Sequence, residues 1–296
     1  FAEGKVDRTK VNLLKWMGPG QPGTYEDYMN RRPKGKFRIE PIYPGVEDNT
    51  RAQKVLIIVN SSIYSSLETQ VLRYADSLIA CGYNAPVYQS SYGTAEDLKS
   101  FIISNQADLI GCVFVGELPT AWYEVANDFD MYGYASFPCD LFLMDLDGTW
   151  TDSDSDGLYD GHSDGSGDRQ PEIFVGRMDL SQMGGNEIDN MTAFFNRDND
   201  YWTGNITLLK YGLTYTEDDW ASYDYFLHDI SYLYGSNYEA IAAPATSESD
   251  YRTYRLGNIS YEFIQLSCHS SPTLHAFTRG GYCYYYEVQA VPPQAL

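Results

Sequence analysis

The sequence predicts an α/β protein made of two adjacent units, each with a parallel β-sheet. Three observations support this class. Apolar, β-branched runs of the kind found in strands buried on both faces alternate with segments of helical spacing. The order strand, helix, strand occurs within residues 54–180 and again within residues 181–296. The chain has 296 residues, 43% of them hydrophobic and 15% aromatic, so it is long enough for two cores and too apolar for a disordered protein.

The first unit begins at Lys54, where the pattern changes sharply. The run 55–59 (VLIIV) predicts a buried strand, and apolar residues between 67 and 79 recur at helical spacing. Gly82 follows at the position where helices favour glycine, and it therefore predicts the end of that helix. The other predicted elements of this unit are a strand at 87–88, a helix that begins with a capping box of Thr94 and Asp97, and a buried strand at 109–115.

The second unit repeats the alternation after a strongly acidic region. Residues 188–195 have helical spacing and lead into Trp202. The predicted elements that follow are a strand at 206–213, a helix at 219–234, a strand at 238–241, a short helix at 248–255 and a strand at 261–267. Because helices separate these strands, we expect them to form a second parallel sheet.

Residues 1–53 form a predicted N-terminal arm that precedes the first strand. Its segment 18–23 (GPGQPG) is rich in turn-forming residues, and 31–38 is a basic run that contains proline. Residues 1–54 hold 11 of the 20 lysines and arginines against 7 acids. We therefore expect the arm to dock on the acidic body, with an acidic external ligand as the alternative. A propeptide remnant and a structural strap are both open as its role.

The charge of the chain excludes one class of partner. With 41 acidic against 20 basic side chains the net charge is −21, whereas binding to a nucleic-acid backbone needs a basic face. No stretch reaches 18 consecutive apolar residues, so no membrane-spanning helix is predicted. The five cysteines form no CxxC pair, and most lie in contexts typical of buried thiols. The chain opens FAEG, without Met, so we expect that a signal peptide or another leading segment has been removed.

The strongest local motif is the acidic run 152–160 (DSDSDGLYD). Carboxylates at its first, third, fifth and ninth positions, a glycine at the sixth and a backbone carbonyl at the seventh match the ligand order of a calcium loop. Ser163 stands at the twelfth position, where an EF-hand has glutamate, so we expect Asp164 or Asp168 to complete the shell. A solvated acidic loop without a metal is the alternative. The predicted calcium ligands are Asp152, Asp154, Asp156, Leu158, Asp160 and Asp164.

A second motif, Cys268-His269, lies at the end of the last predicted strand. Catalytic groups of open α/β sheets lie beyond the carboxyl ends of strands, so His269 is well placed to act as a general base. His275 lies close enough along the chain to line the same loop. A buried structural histidine is one alternative. A zinc site is another, with ligands from Cys268, His269, His275 and Cys283.

Several segments of the first unit resemble the gingipain family, bacterial cysteine peptidases with a caspase fold that are usually secreted. The matching segments are 113–119 (VFVGELP), 137–150 (FPCDLFLMDLDGTW) and 171–177 (PEIFVGR). His269 stands where these enzymes carry their catalytic histidine, after the third caspase-type strand. The resemblance covers residues 54–280 and implies that the second unit is caspase-like.

The resemblance implies a cysteine endopeptidase in which a Cys/His dyad hydrolyses a polypeptide substrate and His269 handles the protons. Ser270 stands where the family generally has glycine, next to the oxyanion contact. We expect the nucleophile strand to follow residue 296, so that a C-terminal fragment or a neighbouring subunit completes the sheet edge. Cys283 is the alternative nucleophile within the chain.

A second class of function stays open. The same scaffold can serve as a non-catalytic extracellular protein that binds a partner or assembles with itself. The 27 tyrosines favour this alternative, as does the expectation that the nucleophile strand lies beyond residue 296. In both cases the resemblance and the acidic loop together predict a secreted, calcium-stabilised bacterial protein.

Overall fold

The structure, a computed structural model, describes residues 23–46, 53–128, 133–271, 273–277 and 281–291. These residues belong to two units, one formed by residues 23–202 and the other by residues from 203 onward. The α/β class predicted from the sequence is confirmed. The division follows Trp202, whereas the sequence places it after residue 180.

A five-stranded sheet forms the centre of the first unit. The strands of this unit are β1 (Arg38–Tyr43), β2 (Lys54–Asn60), β3 (Val87–Ser91), β4 (Leu109–Val115), β5 (Trp122–Val125), β6 (Ala135–Pro138), β7 (Thr149–Thr151), β8 (Gly161–Ser163) and β9 (Phe174–Met178). Its helices are α1 (Tyr25–Arg31), α2 (Ser61–Ala80), α3 (Ala95–Ser104), α4 (Leu141–Met144) and α5 (Glu187–Trp202). The main sheet has the order β1-β3-β2-β4-β9, and its strands are parallel except β1. The remaining strands form two hairpins, β5 with β6 and β7 with β8.

Different helices cover the two faces of this sheet. On one face, Ile57 of β2 belongs to a buried cluster with Val71 of α2 and Phe195 of α5. On the other face, Ile58 of β2 belongs to a cluster with Leu98 of α3. Because β2 is buried on both sides, its sequence is continuously apolar rather than alternating.

The helix and turn signals of the first unit are confirmed. Thr94 and Asp97 exchange hydrogen bonds in a capping box at the start of α3. Gly82, just beyond the end of α2, has a φ of 98°. Gly116, directly after β4, has a φ of 84°, and a Cβ atom there would lie 2.5 Å from the Ile63 side chain. Only glycine therefore lets the end of β4 approach the first turn of α2 this closely.

Residues 23–46 of the predicted arm belong to the first unit. Strand β1 pairs with β3 as an antiparallel edge strand. In α1, the Arg31 Nε atom lies 3.2 Å from a Glu117 carboxylate oxygen, and the Tyr28 hydroxyl accepts a hydrogen bond from the Thr120 N–H. These contacts place an arginine of the basic run against an acid of the body. Most of the turn-rich segment 18–23 lies outside the described residues.

The second unit contains a small parallel sheet and a small antiparallel one. Its strands are β10 (Gly212–Thr216), β11 (Tyr238–Ala242), β12 (Phe263–Ser267), β13 (His269–Ser271), β14 (Leu274–Phe277) and β15 (Gly281–Tyr284). Its helices are α6 (Asp224–His228), α7 (Ser231–Tyr234), α8 (Tyr285–Gln289) and a π-helix at Asp250–Leu256. The parallel order is β11-β10-β12, and β13, β14 and β15 are antiparallel.

The first strand of this unit lies later in the sequence than predicted. The prediction of a strand at 206–213 is wrong in extent, since β10 begins only at Gly212. All five residues of β10 are buried, whereas Leu209 is exposed. The position of β10 therefore depends on which residues are buried in the unit, and not on the apolar content of the segment alone.

The helix predicted at 219–234 is divided into α6 and α7. The Thr214 and Thr216 hydroxyls of β10 donate hydrogen bonds to the carbonyls of Leu227 and Phe226. A continuous helix would use these two carbonyls for its own hydrogen bonds. The threonines of the neighbouring strand therefore end α6 at this point.

Candidate functional site

A histidine–aspartate pair lies at the carboxyl end of the parallel sheet in the second unit. His269 follows β12, and Asp219 follows β10, the neighbouring strand. The His269 Nε2 atom lies 2.8 Å from the Asp219 Oδ2 atom, and both side chains are largely buried. The Trp220 ring packs on the imidazole with 4.8 Å between centroids. A carboxylate in this position holds the imidazole in one orientation and one tautomer.

Asp219 is a candidate site residue that the sequence reasoning missed. It lies 50 residues before its histidine in the chain. The signal that can reveal it is the acidic run 217–219, which directly follows the strand beside β12. The carboxyl ends of parallel strands meet at the same edge of a sheet, so acids in this run lie near His269. Glu217 of the same run is buried, and its backbone N–H donates to the Ser267 carbonyl.

The second predicted histidine lies in a row of polar residues across the antiparallel sheet. Ser270, His275 and Cys283 are paired in register on β13, β14 and β15. The Ser270 Oγ atom lies 2.8 Å from His275 Nδ1, and the Cys268 Sγ atom lies 3.4 Å from the same hydroxyl. Burial lowers the pKa of His275, so its neutral form is favoured. His275 therefore contacts Ser270, whereas His269 contacts Asp219.

The two thiols near these histidines are poorly suited to nucleophilic attack. Cys283 is fully buried, and burial together with the carboxylates of Glu287 and Glu248 raises the pKa of its thiol to about 11. Burial also raises the pKa of the Cys268 thiol, and the Glu217 carboxylate adds to that shift. A cysteine nucleophile reacts as the thiolate, which a raised pKa disfavours.

The zinc alternative has no support in the described part of the second unit. The described residues of that unit contain no group of three His, Cys, Asp or Glu side chains whose ligand atoms all lie within 4.8 Å of one another. The four residues proposed as zinc ligands are therefore not brought together as a ligand set.

The acidic run of the first unit forms the loop between β7 and β8. Its first carboxylate, Asp152, accepts hydrogen bonds from the backbone N–H groups of Ser155, Asp156 and Gly157. Ser155 and Gly157 have φ angles of 64° and 94°, so the loop makes the sharp turn that its glycine predicts. Asp160 accepts from the Ser153 backbone and hydroxyl. These carboxylates close the loop on itself.

Three other carboxylates offer oxygen ligands at this loop. Asp154 and Asp156 have carboxylate oxygens that lie within 4.8 Å of one another and of an oxygen of Glu124, on β5. Oxygen donors of this kind suit a hard cation such as Ca²⁺. Sequence reasoning missed Glu124, because only the pairing of the loop with β5 brings it near, through the Tyr159 backbone. Of the two acids expected to complete the shell, Asp164 forms an ion pair of 3.0 Å with Arg169, and Asp168 accepts a hydrogen bond from the Gln170 N–H.

A second acidic group lies in the segment that resembles the gingipain motif. Asp145, Asp147 and Glu172 have carboxylate oxygens within 4.8 Å of one another. Asp145 is buried and contacts His162 Nε2 at 2.5 Å, and it accepts backbone hydrogen bonds from Gly148 and Asp147. Burial raises the pKa of Asp145, but these hydrogen bonds outweigh burial and lower it overall. The motif therefore has a structural role in turning the chain before β7.

The segments that carry the resemblance converge on one arginine. The Arg177 guanidinium donates to both carboxylate oxygens of Asp140, at 2.9 Å and 2.7 Å. It also donates to the carbonyls of Leu118 and Pro119, in the turn after β4. Arg177 thus joins β9, the turn after β4 and the start of α4, and its planar fork matches the carboxylate in a bidentate geometry.

Comparison with known proteins finds no match to this chain among family models, curated proteins or solved structures. Within the described parts of the chain, no helix combines the length and the apolar character needed to cross a membrane.

Replacement of Arg177 by Met is expected to destabilise the first unit by about 3 kcal/mol, because the largely buried Asp140 carboxylate loses its partner. The matched control is Arg169→Gln, since Arg169 and Asp164 are 60% and 69% exposed. An exposed pair of this kind contributes less than about 1 kcal/mol. Urea denaturation of both variants measures the difference. Equal losses in the two variants would contradict the role given to Arg177.

Stability is expected to depend on the protonation of His275. An imidazole whose pKa is lowered by folding binds fewer protons in the folded than in the unfolded state, so stability falls as pH drops below about 6.5. We expect His275→Asn to reduce the change of the unfolding free energy with pH between about pH 7.5 and pH 5. The control is His228→Asn, at an exposed histidine of the same unit. An unchanged slope in His275→Asn would overturn this assignment.

Proposed function

We propose that this chain is a gingipain-like cysteine peptidase that hydrolyses peptide bonds, with His269 as its general base. The observation that carries the proposal is the His269–Asp219 pair at the carboxyl edge of the second parallel sheet. This is the edge where open α/β sheets place catalytic groups. The resemblance of segments 113–119, 137–150 and 171–177 to the gingipain family supplies the reaction class.

The geometry of the pair suits a proton carrier. Asp219 accepts a hydrogen bond from His269 Nε2, which leaves Nδ1 to exchange protons with the reacting groups. In the proposed reaction His269 takes the thiol proton, the thiolate attacks the peptide carbonyl, and the imidazolium then protonates the leaving amine. Water hydrolyses the acyl-enzyme, while backbone N–H groups stabilise the oxyanion.

We infer that neither thiol in the described second unit is the nucleophile. The raised pKa values of Cys268 and Cys283 and the burial of Cys283 support this inference. Within the described residues, β12 pairs only with β10, so its other edge can accept a further strand. We propose that a C-terminal fragment or a neighbouring subunit adds a strand there and brings the cysteine.

The alternative function is a non-catalytic extracellular protein that binds a partner or assembles with itself. The same raised pKa values favour it, because they deprive the described second unit of a ready thiolate. Exposed aromatic side chains in this unit also favour it, since large exposed apolar groups mark interaction surfaces. The most exposed of them are Tyr225, Tyr232, Tyr254, Tyr285 and Tyr286.

We also propose that the protein is secreted and that Ca²⁺ stabilises its acidic loop. The ion would be held by Glu124, Asp154 and Asp156, with loop carbonyls or waters in the remaining positions. Glu124 then takes the place of the glutamate that an EF-hand has at the twelfth position. Bound calcium would offset the repulsion among these carboxylates and order the loop.

The peptidase proposal predicts that His269→Ala lowers the hydrolysis of denatured casein by about 10²–10⁴-fold, because the general base is lost. Asp219→Asn is expected to lower kcat by a smaller factor, since the imidazole loses only its orienting partner. The protein is purified with any fragment or partner that accompanies it, and activity is measured with a protein substrate. His228→Ala, at an exposed histidine, is the matched control.

A thiol-reactive peptidyl inhibitor separates the two functions. Labelling of a cysteine in the purified protein or its accompanying fragment, abolished in His269→Ala, supports the peptidase. The absence of both labelling and hydrolysis would contradict the peptidase proposal and favour the non-catalytic protein that binds a partner or assembles with itself.

Saturating Ca²⁺ is expected to stabilise the first unit, since a ligand at 100 times its Kd contributes about 2.7 kcal/mol. The expected rise in Tm is about 5 °C or more, and EDTA reverses it. The rise is expected to disappear in Glu124→Gln and in Asp154→Asn, and to persist in Asp164→Asn, whose side chain pairs with Arg169. A calcium response that survives Glu124→Gln and Asp154→Asn would contradict the assigned ligands.

A further inference from the structure

A cavity of about 180 Å³ lies at the carboxyl ends of β2, β3 and β4 in the first unit. It takes no part in the proposed peptidase reaction, which is assigned to the second unit. The lining includes Tyr28, Arg32, Ser61, Ser90, Tyr92 and Glu117.

The cavity occupies the position where open α/β sheets bind ligands. Strand β2 leads through α2 to β3 on one side, whereas β4, on the other side of β2, leads onward to β9. The chain therefore reverses its direction across the sheet between β2 and β4, and crevices at such switch points receive ligands.

The start of a long helix faces this cavity. Ser61 and Ser62, the first two residues of α2, line it, and α2 has 20 residues. The Ser62 N–H donates to the Asn60 side chain, and the dipole at the start of such a helix favours a negatively charged ligand group. Asn60, which caps α2, holds the rim in place because its Nδ2 atom donates to the Glu117 carbonyl.

A buried hydroxyl in the cavity wall lacks a partner. Ser90 is 1% exposed, and its Oγ atom has no hydrogen-bond partner among the described residues. Buried polar atoms of native proteins are nearly always hydrogen-bonded, and an unsatisfied one costs free energy. Rotation of the Ser90 side chain toward the cavity would let a ligand oxygen supply the missing partner.

The charges around the cavity favour an anion. The Arg32 guanidinium lies over the Tyr28 ring, 5.9 Å from its centroid. Its charge acts on the Glu96 carboxylate, but it forms no direct ion pair with a described carboxylate. The acid of the lining, Glu117, is already paired with Arg31. One cation of the lining therefore stays available, whereas the carboxylate is compensated.

We propose that this cavity binds a small molecule that carries an oxyanion, either a carboxylate or a phosphate ester. The oxyanion lies at the start of α2, where Arg32 and the Ser90 hydroxyl bind it, and the rest of the molecule packs on Tyr28 and Tyr92. A cavity of this size holds more than an inorganic anion, so the tyrosines select for an apolar or aromatic body. This site is independent of the peptidase function.

Isothermal titration calorimetry on the full chain tests the site with four probes: inorganic phosphate, phenyl phosphate, acetate and phenylacetate. Saturable binding at one site per chain is expected, with a lower Kd for each phenyl compound than for its inorganic or methyl counterpart. A preference between phenyl phosphate and phenylacetate identifies the oxyanion. Ser90→Ala and Arg32→Gln are each expected to raise the Kd at least fivefold.

Matched controls are Ser65→Ala and Arg169→Gln, at exposed positions of the same unit outside the cavity, and they are expected to leave the Kd within twofold. Ser90→Ala removes a hydroxyl that has no protein partner, so the variant is expected to fold as well as the parent chain. Failure of all four probes to bind would overturn the proposal. Binding that both cavity variants leave unchanged would overturn it as well.

Discussion

The burial of parallel strands under helices is the constraint on which the arrangement of polar groups depends. In the first unit α2 and α5 cover one face of the sheet and α3 covers the other. Neither face has room for chemistry, so the useful side chains collect where the strands end. The cavity beside Ser90 and the turn held by Arg177 both lie at this edge. In the second unit the His269–Asp219 pair lies at the corresponding edge of its own sheet.

The contacts of the acidic side chains explain part of the net charge of −21 in structural terms. Many of them hold the chain in position: Asp140 binds Arg177, Asp145 accepts backbone N–H groups and contacts His162, and Asp152 closes the loop that follows β7. Glu124 and Asp154 share one group of nearby carboxylates. Carboxylates this close together repel one another, so a counter-charge would stabilise this group.

The sequence predicted those structural features that a short segment of the chain determines. Continuous apolar character predicted β2, a capping box predicted the start of α3, and His269 was expected directly after the last parallel strand. Each of these features depends on residues that are close together along the chain. The calcium-type loop was also expected from spacing, and its turn at Gly157 is formed as predicted.

Partners that are distant in the chain were not predicted. Asp219 meets His269, and Glu124 meets the acidic loop, only after strands from different parts of the chain have paired. The extent of β10 and the break before α7 were also missed, since packing decides the first and the threonines of a neighbouring strand decide the second. Periodicity describes one segment at a time and carries no information about such contacts.

The tautomer of His269 provides the most direct test of the proposed base. The chain has only four histidines, so long-range ¹H–¹⁵N correlation spectra of the ¹⁵N-labelled protein can resolve each imidazole. In its neutral form His269 is expected to carry its proton on Nε2, where Asp219 accepts it, and Asp219→Asn is expected to change that signal. A proton on Nδ1 in the neutral form, or a spectrum that Asp219→Asn leaves unchanged, would contradict the account.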